Sequence, residues 1–196
     1  MNKEFYILLS TLLFVGFGTA AVIFFHDDSR NKDPMMLVQQ EVCLKLQHSA
    51  IRLFQNHQLF EAEAETRRLL KLDPENREMA LFFGRILFET GRRQEAEKIF
   101  QAQVSISPFN VGARNNLAVI AAARQQYEAA AKVFSTISNR DNIRRVAENN
   151  LAVVKKAIEL TDQKRNFAIV PESGKIDFRI IGAISIKLIE LPPERE

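Results

Sequence analysis

Residues recur at a spacing of 34 along the middle of this chain, and that period constrains the fold more than any other feature. Pro74 and Pro108 are one such pair, and Phe100 and Phe134 are another. Ala62, Ala96 and Ala130 form one series, and Gly84, Ala118 and Ala152 form a second. The strongest match sets Ala113-Arg114-Asn115-Asn116-Leu117-Ala118-Val119 against Ala147-Glu148-Asn149-Asn150-Leu151-Ala152-Val153, with six of seven residues identical. A period of this length marks a repeat architecture. Each unit is two antiparallel helices that cannot bury their apolar face alone, and stacking on neighbours buries it. The small residues belong where helices approach closely, and Phe100 and Phe134 fill the space between pairs. Pro74 and Pro108 follow helix ends, because proline cannot continue a helix.

On these residues the segment 37–161 resembles the tetratricopeptide repeats, helical hairpins of the same period. Unit one runs from Cys43 to Asn76, unit two from Arg77 to Asn110 and unit three from Val111 to Arg144. A last helix, Ile143–Thr161, repeats the first helix of a unit and caps the stack. The family's usual early tryptophan is missing: Leu46, Ala80 and Arg114 stand in its place. The fold class expected is all-α, a solenoid of helical hairpins. An N-terminal transmembrane helix would precede it and a short β-rich tail would follow.

In the resembled family the first helix of each unit lines a concave groove. That implies His48 in unit one, with Phe82, Arg85 and Phe88 in unit two. It implies Asn115, Asn116 and Val119 in unit three, and Asn149, Asn150, Val153 and Lys156 in the capping helix. Asn116 and Asn150 match the family's asparagine that bonds the backbone of an extended peptide. An amide suits that task because it both donates and accepts. Asn115 and Asn149 would widen the ladder. The same asparagines serve equally well as bridges between neighbouring helices. Arg85 and Lys156 would favour an acidic peptide or a terminal carboxylate. Phe82 and Phe88 would either anchor an apolar side chain or pack in the core.

From Phe5 to Phe25 no side chain is charged. At about 1.5 Å of rise per residue this run spans roughly 30 Å, the hydrocarbon thickness of a bilayer. The small residues Thr19-Ala20-Ala21 would suit a signal-peptide cleavage site, but Val22-Ile23-Phe24-Phe25 extends the apolar run past them. The segment therefore reads as an uncleaved anchor. Residues 1–4 form a short flank, 5–25 the anchor and 26–36 a linker. Lys3 lies on one side and Arg30 and Lys32 on the other, so positive charge does not decide orientation. A short N-terminus before one apolar run resembles a bacterial signal anchor, which would put the bulk of the chain in the periplasm.

Beyond Thr161 the helical pattern stops, and 162–196 reads as a β-rich extension. Phe167-Ala168-Ile169-Val170 precedes the turn-like Pro171-Glu172-Ser173-Gly174. Ile176, Phe178 and Ile180 alternate with polar residues, as do Ile184, Ile186 and Leu188, with Gly182-Ala183 turning the chain between them. A small three-stranded meander is expected. It would be marginal alone, so it should pack on the repeats, on itself in a dimer or on a partner.

No residue pattern points to chemistry. His26, His48 and His57 form no metal-ligand spacing with the single cysteine, Cys43, and no phosphate-binding glycine loop or nucleophile elbow occurs. One thiol excludes an internal disulfide, and Cys43 reads as a buried structural residue. Glu61, Glu63 and Glu65 read as solvated charges near a helix start. A formal charge of +3 is too mild for nucleic-acid binding. The expectation is a non-enzyme without metal or cofactor, a membrane-anchored scaffold or adaptor with a peptide or protein partner. Its pathway would be envelope-protein assembly or secretion. A permanently assembled subunit of a larger membrane complex is the alternative, and a homodimer is left open.

Overall fold

The computed structural model describes residues 34–137, 141–172 and 180–192. The apolar run Phe5–Phe25 lies outside them, and no described helix is long and apolar enough to cross a membrane. Seven helices and two strands are described: α1 Pro34–Gln55, α2 Leu59–Leu72, α3 Arg77–Glu89, α4 Arg93–Ile106, α5 Val111–Ala123, α6 Tyr127–Ser135, α7 Arg144–Asp162, β1 Phe167–Pro171 and β2 Ile186–Glu190. The chain is predominantly helical, with a small β tail. α1 begins at Pro34, inside the segment read as linker. Proline suits the first turn, where its missing N–H has no intrahelical acceptor to lose.

The period reappears as repeated local geometry. His57, Gly91 and Gln125, each 34 residues after the last, have φ of 61°, 83° and 63°. Each sits just past the end of α1, α3 or α5. At each turn the left-handed residue and its successor donate back into the helix. His57 N–H bonds Phe54 O and Gln58 N–H bonds Leu53 O; Gly91 pairs with Phe88, Arg92 with Leu87, Gln125 with Ala122 and Gln126 with Ala121. These pairs satisfy carbonyls that the helix end would leave without partners. The next helix starts at once. The α2–α3 and α4–α5 connections carry the prolines and end in matched caps: Asn76 Oδ1 accepts from Met79 N–H at 3.1 Å and Asn110 Oδ1 from Ala113 N–H at 3.0 Å.

Consecutive helices from α2 to α7 pack on one another, and α3, α5 and α7 also touch in succession. One apolar cluster joins Ala50, Ile51 and Phe54 of α1 to Ala62 and Leu69 of α2 and to Met79, Phe82 and Ile86 of α3. A larger one runs from Phe83 and Leu87 through Phe100, Val119 and Phe134 to Val154 and Ala157. Gly84 lies against the Phe100 ring, leaving no room for a Cβ. Its counterpart in α5, Ala118, is buried, whereas Ala152 in α7 is exposed, because no helix follows α7 among the described residues.

The tail departs from a three-stranded meander. β1 and β2 pair antiparallel, with Phe167 opposite Glu190, Ile169 opposite Leu188 and Pro171 opposite Ile186. The strand expected around Ile176–Phe178 lies outside the described residues. Ile184 and Ser185 are not in a strand. Phe167, Ile169 and Leu188 pack against the larger apolar cluster, and this support lets so small a sheet persist.

Candidate functional site

Four buried polar side chains, Arg85, Asn115, Asn116 and Asn150, share one face of the described molecule, and what they hold is the chain's own tail. α3 and α5 are the first helices of their hairpins, and α7 occupies the corresponding place at the end of the stack. Between them they present Arg85, Asn115, Asn116, Asn149 and Asn150, and residues 181–186 run along these side chains. Asn116 Nδ2 donates to Gly182 O at 2.7 Å, and its Oδ1 accepts from Ile184 N–H at 2.9 Å. One helical pair further on, Asn150 Nδ2 donates to Ile184 O at 2.9 Å and its Oδ1 accepts from Ile186 N–H at 2.9 Å. Each amide thus spans one tail residue, Ala183 or Ser185, bonding the carbonyl before it and the N–H after it. Donor and acceptor are both used, so only one orientation of each amide satisfies the network.

Asn115 ties the rungs together. Its Nδ2 donates to Ile184 O and to Asn116 Oδ1, both at 3.1 Å, and its Oδ1 accepts from Asn150 Nδ2 at 3.1 Å. Asn115, Asn116 and Asn150 are fully buried. Asn149 extends the row at its more open end, donating to Ile186 O at 2.9 Å and to Ser185 Oγ at 3.0 Å. The amides therefore bridge helices and hold an extended backbone at once, so the two roles open to them in the sequence coexist.

Arg85 holds the start of the segment. Its Nη1 donates to Ile181 O and Ala183 O, both at 3.1 Å, and its Nε bonds Glu89 Oε1 at 3.0 Å. The guanidinium lies 4.8 Å from the centre of the Phe54 ring. Arg85 and Glu89 side chains are 3% and 2% exposed, so this is an ion pair sealed from water. The carboxylate that Arg85 meets within the described residues is Glu89 of its own helix. The arginine's charge is already matched within α3, and what it reads in the tail is carbonyl oxygen.

The remaining candidates lie elsewhere. Phe82 is buried in the core against Phe54, with ring centres 5.2 Å apart, and packs in the same cluster as Ile181. Phe88 and Val119 belong to the larger core. Lys156 is exposed and donates to Glu159 on its own helix at 2.9 Å. His48 is exposed.

Several contributors to this site escape a reading of the residue pattern. Ile181, Ile184 and Ile186 are buried to 2% exposure or less, and each such side chain contributes about 1.5–3 kcal/mol relative to full exposure. Gly182 sits so close to α3 that a Cβ there would lie 2.5 Å from Leu81 Cβ and 2.9 Å from Leu81 carbonyl carbon. Glu63 is not solvated: it pairs with Arg67 at 2.8 Å and with Arg92 of the next hairpin. Cys43 is half-buried, and burial together with the charge of Asp73 pushes its thiol above the usual range, which disfavours a reactive thiolate.

No protein-family model matches the chain, and comparison with curated proteins finds no match either.

Proposed function

We propose that this chain is a protein-interaction scaffold of tetratricopeptide type, whose groove binds an extended polypeptide through its backbone. The observation that supports the reading is the amide row itself. Side chains 34 residues apart on the helices bond main-chain groups two residues apart on an extended segment. Such a row reads backbone with little regard to side chains, which is what an adaptor groove requires. The apolar run Phe5–Phe25 would fix the protein in a bilayer as a single-pass anchor. With a bacterial source the repeats would face the periplasm and assist assembly or secretion of envelope proteins.

One observation favours a second reading, a permanently assembled subunit of a larger membrane complex. The tail is deeply buried, with Ile181 and Ile184 at 0% exposure, as a fixed part of a fold would be. Hydrogen exchange of the full-length protein separates the two. In an adaptor, the amides of Ile184 and Ile186 exchange by local opening at a free energy well below global unfolding. In a permanent subunit they exchange only with the whole helical core. A photoreactive residue at position 149 of the full-length protein in membranes tests the adaptor directly. It should capture a second polypeptide, and Asn116→Ala should change the yield. Capture restricted to the chain's own tail would argue against a partner in the groove.

A further inference from the structure

The tail shows what kind of peptide this face accepts, because its side chains meet very different surroundings. Ile181, Ile184 and Ile186 are buried. Ala183 is 6% exposed and packs among Ile137, Ile143 and Ala147. Ser185 is only partly buried, and its hydroxyl accepts from Asn149 and donates to Glu172 Oε2 at 3.0 Å. Gly182 is the most restrictive position. Two of the three atoms that its Cβ would meet belong to the α3 backbone, Leu81 carbonyl carbon at 2.9 Å and Phe82 nitrogen at 3.0 Å. A flexible side chain can move aside, but a helix backbone held on both sides by its neighbours cannot. Asn116 meanwhile takes the Gly182 carbonyl at 2.7 Å, so the peptide cannot lift away to make room without losing its first rung.

We infer that the partner of this groove is a peptide with the order apolar, glycine, small, apolar, polar, apolar, and that it binds by replacing the chain's own Ile181–Ile186. It turns at its first two residues as the tail does, where Ala183 N–H bonds Ile180 O at 2.9 Å, and runs extended after them. The inference rests on the peptide-groove reading above and names the partner's chemistry. Backbone recognition by Arg85 and the asparagines is indifferent to sequence, so selectivity falls to the steric rule at glycine and the apolar sites around it. The tethered tail satisfies every one of these requirements and competes at high effective concentration. Free peptide therefore sees only the fraction of molecules whose groove is open, and its apparent affinity is reduced by that fraction.

The test uses full-length protein in detergent micelles and a fluorescent peptide copying residues 180–188, Ile-Ile-Gly-Ala-Ile-Ser-Ile-Lys-Leu. Gly182→Val in the protein should expel the tail and tighten binding of the peptide by about tenfold or more over the unaltered chain. A peptide with valine at the glycine position should bind that variant at least about tenfold more weakly. Adding Asn116→Ala and Asn150→Ala to the variant should abolish binding. If Gly182→Val does not give a cooperative melt, Gly182→Ala takes its place, with the smaller obstruction. Equal binding of the two peptides would overturn the glycine rule while leaving the groove a peptide site. Binding of neither by a folded, tail-expelled variant would overturn the groove reading as well. Co-purification of differently tagged unaltered copies, abolished by Gly182→Val, would assign the groove to a second copy's tail and overturn a separate partner.

Discussion

Asn116 and Asn150 meet at one residue of the tail: Ile184 donates its N–H to Asn116 and offers its carbonyl to Asn150, each at 2.9 Å. The two asparagines are one 34-residue period apart, yet they act on opposite sides of a single peptide unit's neighbours. One step of the helical repeat therefore corresponds to two residues of extended chain. The same commensurability makes Asn150 take Ile186 N–H as Asn116 takes Ile184 N–H. A regular helical scaffold thus holds one side of the segment in register, while the end of β1 meets it on the other, Glu172 N–H bonding Ser185 O at 2.8 Å.

The ladder should be costly to break where it is buried and tolerant where it is open. Asn150→Ala strands Ile186 N–H and the Oδ1 of Asn115, and removes one of two donors to Ile184 O. Leaving buried polar groups unpaired costs about 1–3 kcal/mol each at most. Asn149→Ala removes bonds at a partly exposed site, where water substitutes, and should cost about 0.5–1 kcal/mol. Urea unfolding midpoints of the two variants, read with unchanged slopes, check the order. Equal losses would mean that Asn150 is not shielded from water.

The periodic positions announce the helices, since small residues and phenylalanines at a fixed spacing need paired helices to bury them. The turns are less transparent. Only Gly91 among the four left-handed positions described is a glycine; His57, Gln125 and Lys164 adopt the same region with side chains that rarely signal it. The asparagines fit an extended backbone or a bridge between helices equally well in the sequence, because an amide both donates and accepts; the backbone they bond is that of the chain's own residues 182–186. The residue pattern does not announce which chain supplies it. Gly182-Ala183 reads as a turn, and the chain does turn there, with Ala183 N–H bonding Ile180 O at 2.9 Å; Ile184–Leu188 reads as a strand, since alternation registers burial on one side. Ile184 finds its hydrogen bonds in side-chain amides of α5 and α7, whereas Ser185 O takes Glu172 N–H beside β1, and no local pattern encodes partners so distant in sequence.

Arg85 and Glu89 should behave as a coupled pair. Arg85→Met leaves the Glu89 carboxylate buried without its cation and removes the donor to two tail carbonyls. Breaking one side of a buried pair costs about 3–5 kcal/mol. Adding Glu89→Leu removes the stranded charge, so the double variant should regain at least about 1 kcal/mol over Arg85→Met alone. A double-mutant cycle by urea unfolding measures this. A double variant no more stable than the single one would show that the tail carbonyls, not the carboxylate, carry the loss.

Gly84→Ala sets helix propensity against packing. Alanine is favoured over glycine within a helix by about 1 kcal/mol. Its Cβ, however, would press into the Phe100 ring, which is fully buried, and overpacking costs about 1–3 kcal/mol. The net expected change is a loss. Phe100→Leu added to Gly84→Ala should then cost less than Phe100→Leu in the unaltered chain, because the second change relieves the first. Thermal melts of the four proteins test the coupling, and additive effects would refute the steric account.

Glu63 links the first two hairpins, and its acid response follows from its neighbours. Burial pushes its carboxyl upward, but hydrogen bonds and charge from Arg92 and Arg67 outweigh this and hold it below the ordinary glutamate range. A carboxyl depressed in the folded state stabilises fully above its unfolded value, and that contribution is lost as pH falls through the folded one. The arginines are 34% and 51% exposed, so solvent screening limits the contribution to a few tenths to about 1 kcal/mol. Glu63→Gln should accordingly lower stability near neutral pH, and the gap to the unaltered chain should shrink as pH drops toward about 3, below the ordinary glutamate value. Urea midpoints at the two pH values measure it. A gap that widens in acid would mean that the folded carboxyl lies above its unfolded value, and that desolvation prevails over both guanidiniums.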